Sequence, residues 1–244
     1  MVEKKSLDCC FLVCKNSKKT YQELSKTYSA IEPPTWALLL AQSTRSVGFK
    51  VNIIDANAEN LSEDDIINRI KNLSPKLICF VAYGQNVNAG TVNMIGVIHI
   101  AKHLKNKKID IPMSIIGSHV QALPIETLKK EKIIDFVFTN EAVYSLRNIL
   151  KLENFYSKNL SQIKGIAYRD GDDVKMTPAE RVVPTEMMDI DLPGYAWDLL
   201  PYKEKPLDLY RAPMWHAEYD FEKRTPYASL QTSLGCMFHC NFCM

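Results

Sequence analysis

Three cysteines near the end of the chain have the residue type and spacing of ligands for an inorganic cluster. Cys236, Cys240 and Cys243 form a C-x-x-x-C-x-x-C pattern inside the segment SLGCMFHCNFCM. Thiolates at these separations can converge on one iron–sulfur cluster, and such clusters usually take four of them. With three thiolates, one iron of a four-iron cube has no protein ligand and can bind a small molecule. The pattern therefore indicates a site that performs chemistry.

Two other interpretations of these cysteines remain open. Structural zinc takes four ligands from cysteine and histidine, and His239 would complete such a set. His239 lies between Cys236 and Cys240, however, which differs from the paired ligand spacings of zinc sites. The second alternative is three buried free thiols, and the close spacing of the cysteines in a loop that a glycine leads argues against it.

The segment SLGCMFHCNFCM, preceded by the strand-like YASLQT, resembles the cluster-binding loop of radical S-adenosylmethionine (SAM) enzymes. An aromatic residue usually precedes the final cysteine in that family, and Phe242 matches it. The resemblance implies a [4Fe–4S] cluster on Cys236, Cys240 and Cys243, with SAM chelated by the free iron and contacted by Phe242. It also implies that an electron donor such as flavodoxin or ferredoxin reduces the cluster, which cleaves SAM to a 5′-deoxyadenosyl radical.

The composition limits the class of protein that could carry such a site. With 244 residues, 46% of them hydrophobic and 24% charged, the chain can form one large domain or two small ones. Its net charge of +2 predicts no strong attraction to nucleic acid or to a membrane surface. No apolar stretch approaches the roughly 20 residues that cross a bilayer. We therefore predict a protein that binds neither nucleic acid nor a membrane.

Cysteine usage points to a reducing compartment. The chain has seven cysteines, an odd number, and three of them are assigned to the cluster. The other four fall inside apolar runs and are predicted to be small buried hydrophobic residues; they are Cys9, Cys10, Cys14 and Cys79. The apolar run that follows the basic start is too short for a signal peptide. We therefore predict a cytoplasmic location.

Strand-like and helix-like segments alternate through the first 150 residues. Short apolar runs predict five buried strands, in LDCCFLVC, FKVNIIDAN, KLICFVAYG, IPMSIIGSH and IIDFVFTN. One helix is predicted to follow the proline pair at 33–34 and to end at Gly48, and another to begin after Ser62. The pattern predicts an α/β fold, a flavodoxin-like (Rossmann-type) parallel five-stranded sheet with flanking helices and the strand order 2-1-3-4-5.

Ligands of such sheets bind in the crevice outside the carboxyl ends of the strands. Small and amide residues at those ends allow close backbone approach and offer hydrogen bonds to a polar ligand. The candidate residues that follow the predicted strands are Asn16, Ser17, Gly84, Gln85, Asn86, Gly117, Ser118, His119 and Glu141. Ordinary turn chemistry explains the same residue types equally well. No G-x-G-x-x-G motif follows the first strand and no Walker motif occurs, so nothing supports dinucleotide or triphosphate binding.

The first half of the chain resembles the cobalamin-binding domain that precedes many radical SAM barrels. PPTWALLLAQSTRSVGFKVNIIDAN is similar to its opening, IIGSHVQALPIETL to its G-G-x-H…P-E segment, and FVFTNEA to its V-x-G-E-x-E turn. Ser118 and Asn140 stand where that family has glycines, and the D-x-H-x-x-G loop that supplies a histidine to cobalt is absent. The resemblance implies cobalamin at the candidate residues, with its lower cobalt face either free of imidazole or covered by another residue.

The resemblance divides the chain into three parts. Residues 1–150 would form the cobalamin-binding-like domain, 151–225 a linker with the hairpin IKGIAYRDGDDVKMTP, and 226–244 the start of a radical SAM partial barrel. Because a complete barrel needs further β-α units, we expect the chain to be a fragment that alone is inactive. Aromatic residues are frequent between positions 195 and 219, and we expect them to pack the linker against the sheet rather than to shape a substrate pocket.

The implied activity is methyl transfer to a carbon centre of a small molecule or biosynthetic intermediate. Ring formation or rearrangement by a radical SAM enzyme is the alternative reaction. A different class of function also remains open, a corrinoid- or small-ligand-binding module without catalysis.

Overall fold

The structure, a computed structural model, describes residues 7–15, 31–84, 89–204, 210 and 227–235. The strands within these ranges are β1 (Leu7–Val13), β2 (Val51–Asp55), β3 (Pro75–Val81), β4 (Met113–Ile116), β5 (Phe136–Phe138), β6 (Ile166–Asp170) and β7 (Asp173–Met176). They form one sheet in the order β2-β1-β3-β4-β5-β6-β7.

The helices of the described ranges alternate with the strands. They are α1 (Thr35–Ser46), α2 (Glu63–Leu73), α3 (Ala89–Asn106), α4 (Ser118–Ala122), α5 (Pro124–Lys130), α6 (Val143–Ile149), α7 (Ser157–Leu160) and α8 (Met188–Asp191). The predicted start of α2 is confirmed by a capping box, in which Ser62 Oγ accepts from the Asp65 amide and Asp65 accepts from the Ser62 amide. The predicted helix after the proline pair is α1, which ends just before Gly48.

Strands β1 to β5 are parallel in the predicted order 2-1-3-4-5, which confirms the flavodoxin-like arrangement. The hairpin of β6 and β7 pairs antiparallel with β5, so it extends the same sheet to seven strands among the described residues. The sequence pattern had predicted this hairpin as part of the linker. The physical reason for its position is that β5 would otherwise leave a row of unpaired backbone groups at the sheet edge.

The sheet separates two apolar layers, and side chains of β1 alternate between them. Cys9 and Phe11 face the layer that contains α1 and α6, whereas Cys10 and Leu12 face the layer that contains α2 and α3. Both faces of β1 are therefore buried, as expected for a central parallel strand. The prediction for the four cysteines outside the cluster motif is confirmed, because within the described ranges all four are free and buried.

The segment after the hairpin packs over α1 and α6. Described aromatic residues of this segment join the apolar layer on that side; they are Tyr195, Trp197, Tyr202 and Tyr210. Arg147 of α6 binds Asp191 of α8, and Arg45 of α1 binds Asp198. The expected packing of linker aromatics against the sheet is confirmed for these four residues, while Trp215 and Tyr219 lie outside the described residues.

Within the part of the chain that the structure describes, no helix has both the length and the apolar character needed to cross a membrane.

Candidate functional site

The structure describes five of the nine residues predicted to line a ligand crevice. Gly84 follows β3, Gly117 lies directly after β4, Ser118 and His119 begin α4, and Glu141 follows β5. All five lie at one edge of the sheet, because the carboxyl ends of parallel strands meet at the same edge. Predicted site residues that lie outside the described residues are Asn16, Ser17, Gln85, Asn86, Cys236, Cys240, Phe242 and Cys243.

The switch point of this sheet lies between β1 and β3. Strand β1 has β2 on one side and β3 on the other, so the connections after β1 and after β3 lead away in opposite directions. In open α/β sheets the ligand crevice forms at such a point, outside the carboxyl ends of the strands. The exposed Gly84 belongs to the connection after β3 and therefore borders this crevice.

Gly117 is required for packing within the protein. A Cβ atom at this position would collide with the backbone carbonyl of Ala82, which follows β3. Gly90 in the first turn of α3 similarly leaves room for the side chain of Ser118. Gly117 was predicted to let a ligand approach the backbone, but Gly117 and Gly90 instead bring α4 and α3 close to the end of β3.

The polar candidate residues that the structure describes contact other residues of the same chain. His119 Nδ1 lies 3.1 Å from Thr91 Oγ1, and partial burial together with the charge of Lys130 lowers the pKa of His119, which favours the neutral imidazole. Glu141 Oε2 accepts a hydrogen bond of 3.1 Å from the amide of Val183. Glu141 therefore ties the segment after the hairpin to the sheet edge.

Tyr83, which sequence analysis missed, is the centre of a hydrogen-bond network at this edge. Its carbonyl oxygen accepts from Asn93 Nδ2 at 2.7 Å, and its hydroxyl oxygen accepts from Gln121 Nε2 at 2.5 Å. Gln121 Nε2 also donates to the carbonyl oxygen of Asn140 at 2.7 Å. Burial raises the pKa of Tyr83, so the phenol stays protonated. The network joins the end of β3 to α3, to α4 and to the turn after β5.

Trp36 of α1 packs against Tyr83 and was likewise missed. The two ring centroids are 5.7 Å apart at an interplanar angle of 61°, an edge-to-face arrangement. Trp36 is buried, and its Nε1 has no hydrogen-bond partner in the described part of the chain. The available signal was a tryptophan two positions after the proline pair, but apolar periodicity alone places that residue in a core.

A second buried contact lies at the carboxyl end of β2. Asp55 accepts hydrogen bonds from the amides of Asn57 at 3.2 Å and Ala58 at 3.0 Å, and from the hydroxyl of Tyr210 at 2.9 Å. Burial raises the pKa of Asp55 to about 6, although the three hydrogen bonds oppose that shift. The sheet edge thus holds a carboxyl group whose pKa lies well above its usual range.

The chemistry of the described edge is that of neutral hydrogen-bonding groups. Amide, imidazole, indole and phenol side chains predominate there, and the described ranges contain no cluster of three or more His, Cys, Asp or Glu side chains that could hold a metal ion. Such groups can hydrogen-bond with a polar organic ligand.

Comparison with protein families gives a match to the B12 binding domain over residues 24–150. This range includes α1 and every described element up to α6, and it ends where the sheet passes into its hairpin extension. The match therefore covers the network around Tyr83 and the β3 side of the switch point, whereas β1 lies before the matched range.

Curated relatives match a longer part of the chain. An uncharacterized methyltransferase of Pyrococcus horikoshii is 26% identical over 224 residues, which is 92% of this chain and 43% of the relative. An anaerobic magnesium-protoporphyrin IX monomethyl ester cyclase of Cereibacter sphaeroides is 22% identical, over 86% of this chain and 31% of the relative. The chain thus spans less than half the length of these relatives.

A solved structure has a similar fold. It is TsrM of Kitasatospora setae, a radical SAM methyltransferase, which matches with a TM-score of 0.50 and 13% sequence identity. The match covers 71% of this chain and 30% of TsrM. At this identity the similarity concerns the fold, and it agrees with the parallel sheet and flanking helices described above.

Proposed function

The chain belongs to the B12-binding domain family, and from this premise we propose that it serves a cobalamin-dependent radical SAM enzyme that transfers a methyl group to a carbon centre. The observation that carries the proposal is that one chain combines this domain with the triplet of Cys236, Cys240 and Cys243. The names of the relatives support the same enzyme class, since one is a methyltransferase and others are cyclases. Because the chain spans under half of these relatives, the activity of a whole enzyme is part of the proposal.

The described sheet edge fits cobalamin. The periphery of a corrin ring carries neutral amide side chains, which can hydrogen-bond with neutral donors and acceptors. His119 is favoured in its neutral form, the exposed Gly84 leaves the backbone accessible, and Trp36 offers a buried donor without a partner among the described residues. We propose that these residues contribute to the cofactor site, together with the predicted residues of the connections after β1 and β3.

The cysteine triplet is proposed to hold a [4Fe–4S] cluster that binds SAM, with Phe242 beside it. When bound, cobalamin supplies a carrier for the methyl group and the cluster supplies the electron that opens SAM. The role of this chain is to bind both groups, to orient them and to exclude water. We further propose that flavodoxin or ferredoxin donates the electron and that the substrate is a small molecule.

Cobalamin binding is tested on the complete 244-residue chain with hydroxocobalamin. We expect the cofactor to co-elute with the protein in gel filtration at a ratio of about one. The variant His119→Ala should bind more weakly, because a candidate contact is removed. The matched control is His99→Ala, since His99 lies on α3 and binds Glu63 at 2.9 Å. Free elution of the cofactor from the unmodified chain would sink the cobalamin proposal.

The cluster is tested by anaerobic reconstitution with iron and sulfide. We expect iron and sulfide to bind to the unmodified chain and to be lost in Cys236→Ala, Cys240→Ala and Cys243→Ala. Cys14→Ala is the matched control, because Cys14 is a free buried cysteine of the sheet. Equal iron contents in all four variants would contradict the assignment. Cobalamin binding without iron would instead support the non-catalytic corrinoid-binding module.

Ring formation is the second candidate reaction, because several relatives are named as monomethyl ester cyclases. Methyl transfer moves the methyl carbon of SAM into the product, whereas ring closure alone does not. The reconstituted protein can therefore be incubated with a small-molecule extract and SAM that carries a ¹³C-labelled methyl group. A labelled product detected by mass spectrometry favours methyl transfer, and an unlabelled product whose mass shows only hydrogen loss favours ring closure.

A further inference from the structure

Trp36, at the carboxyl edge of the sheet, has an indole N–H that is buried and unpaired among the described residues. The residue is only 8% exposed, and its Nε1 has no acceptor within the described ranges of the chain. Buried tryptophan N–H groups usually find a hydrogen-bond partner, since an unpaired buried donor destabilises the folded protein. Among the described residues, Trp36 therefore lacks the acceptor that such a group normally has.

The position of Trp36 places this donor beside the proposed cofactor crevice. Trp36 is the second residue of α1, the helix that follows β1, so it lies where the helix starts at the carboxyl edge. Helical side chains lean toward the helix N-terminus, which directs the indole toward that edge. The residue before the helix, Pro34, makes no side-chain capping bond with the described residues. The indole thus lies at the β1–β3 switch point, where α/β sheets bind ligands.

Tyr83 holds the indole in this position. The two rings meet edge to face with centroids 5.7 Å apart, and Tyr83 itself is fixed by Gln121 at its hydroxyl and Asn93 at its carbonyl. A ring packed in this way cannot turn freely to expose Nε1 to water. The indole N–H is therefore held in one orientation, which lowers the entropy cost of pairing it with an acceptor.

We propose that Trp36 is a cobalamin-binding residue whose indole N–H donates a hydrogen bond to an oxygen acceptor of the bound cofactor, with Tyr83 as its positioning residue. The inference rests on the proposed function, because it requires cobalamin at this edge of the sheet. Cobalamin carries two kinds of suitable oxygen, the carbonyl groups of its amide side chains and one phosphate. Cobinamide retains the amides and lacks the nucleotide, so it distinguishes the two.

The direct test follows the indole N–H of Trp36 by nuclear magnetic resonance. The complete chain is labelled with ¹⁵N-tryptophan and titrated with hydroxocobalamin, in which cobalt is trivalent and diamagnetic. We expect the Nε1–H signal of Trp36 to move downfield and to exchange more slowly with water once the cofactor is bound. Trp197, which stacks on Tyr195 at 5.3 Å, is the internal control, and its signal should stay in place.

The second test measures affinity in the variant Trp36→Phe. Loss of one hydrogen bond should raise the dissociation constant for hydroxocobalamin about tenfold, which corresponds to about 1.4 kcal/mol. Trp197→Phe is the matched control and should bind as the unmodified chain does. If Trp36→Phe does not fold, benzothienylalanine at position 36 replaces the N–H by sulfur with almost no change of shape. The same substitution tested with cobinamide shows whether the acceptor is an amide carbonyl or the phosphate.

The outcomes separate this inference from the proposed function. If the unmodified chain binds hydroxocobalamin while the Trp36 signal stays in place and the position-36 substitution leaves affinity unchanged, the inference is wrong and the proposed function stands. If the unmodified chain does not bind hydroxocobalamin, the proposed function fails and the inference fails with it. A shifted signal together with weaker binding in the substituted protein supports both.

Discussion

The hydroxyl of Tyr210 donates a hydrogen bond of 2.9 Å to Oδ2 of Asp55, across 155 positions of the chain. Both residues are only 2% exposed. Asp55 is the last residue of β2, at the carboxyl edge of the sheet, and Tyr210 belongs to the segment that follows the hairpin. This contact fastens that segment to the edge at which we propose that cobalamin binds.

Tyr210→Phe removes this hydrogen bond and keeps the aromatic ring. We expect the free energy of unfolding to fall by about 1–2 kcal/mol, because a buried acceptor loses one of its donors. Urea denaturation followed by circular dichroism measures the change. Tyr156→Phe is the matched control, since Tyr156 is 74% exposed and its change should stay within about 0.5 kcal/mol. Equal stability of the two variants would show that the contact contributes nothing.

Asp55 should make stability depend on pH. Burial raises its pKa in the folded state from 3.8 to about 6, so the folded protein holds this proton more tightly than the unfolded chain. The stabilisation is fully present below about pH 4 and is lost as the pH rises through about 6. Denaturation of the unmodified protein and of Asp55→Asn between pH 4 and pH 7 measures it.

We expect the difference in free energy of unfolding between the unmodified protein and Asp55→Asn to change by roughly 2–3 kcal/mol between pH 4 and pH 7. The change favours Asp55→Asn at the higher pH. In Tyr210→Phe the same transition should move to higher pH, because the hydrogen bond from Tyr210 lowers the pKa of Asp55. If the free energies of unfolding of the unmodified protein and Asp55→Asn depend on pH in the same way, the raised pKa of Asp55 in the folded protein is contradicted.

A buried ion pair fixes α8 to α6. Arg147 Nη1 binds Asp191 Oδ1, Arg147 Nη2 donates to the carbonyl oxygen of Ser43 at 3.0 Å, and the Tyr144 hydroxyl donates to Asp191 Oδ2 at 2.6 Å. Asp191→Asn would leave the buried guanidinium without its counter-charge. We expect the free energy of unfolding to fall by about 3 kcal/mol in urea denaturation.

The control for Asp191 is a second Arg–Asp pair, which joins the segment after the hairpin to α1 instead of α6. Arg45 and Asp198 form two hydrogen bonds, but the Asp198 side chain is 64% exposed. Asp198→Asn should therefore lower the free energy of unfolding by less than about 1 kcal/mol, because water screens an exposed ion pair. A similar loss in the two variants would mean that burial does not determine the strength of the Arg147–Asp191 pair.

Local patterns in the sequence were sufficient to predict the parallel part of the fold. Apolar runs marked the strands, Ser62 marked a helix start, and the alternation of strands and helices led to the strand order. The position of the hairpin was not predictable in this way. Which sheet edge a hairpin joins depends on contacts between distant segments, such as Phe138 with Ile166.

The candidate site was predictable in its location but less so in its residues. The rule that ligands bind after the carboxyl ends of strands led to Gly117 and His119, which do lie at that edge. The same rule selects small and amide residues, so it passed over Trp36 and Tyr83, whose aromatic rings are typical of a core. Glu141 was selected for its place after β5, but its partner is the amide of Val183, a contact that no local pattern indicates.

Gln121 should couple the stability of the sheet edge to cofactor binding. Its Nε2 donates to the hydroxyl oxygen of Tyr83 at 2.5 Å and to the carbonyl oxygen of Asn140 at 2.7 Å, so it joins the ends of β3 and β5. Gln121→Glu removes this donor: the carboxylate can still accept from the Tyr83 hydroxyl, but it repels the carbonyl oxygen of Asn140. We expect the free energy of unfolding to fall by about 1–2 kcal/mol and hydroxocobalamin to bind more weakly, because the link between Tyr83 and the turn after β5 is lost.

Gln162→Glu is the matched control for Gln121→Glu. The Gln162 side chain is exposed, and its Nε2 donates a long hydrogen bond of 3.4 Å to the carbonyl oxygen of Lys158. Urea denaturation and absorbance titration with hydroxocobalamin are performed on both variants and on the unmodified chain. Loss of stability without loss of affinity in Gln121→Glu would show that the network around Tyr83 supports the fold alone, and unchanged values for both quantities would show that it supports neither.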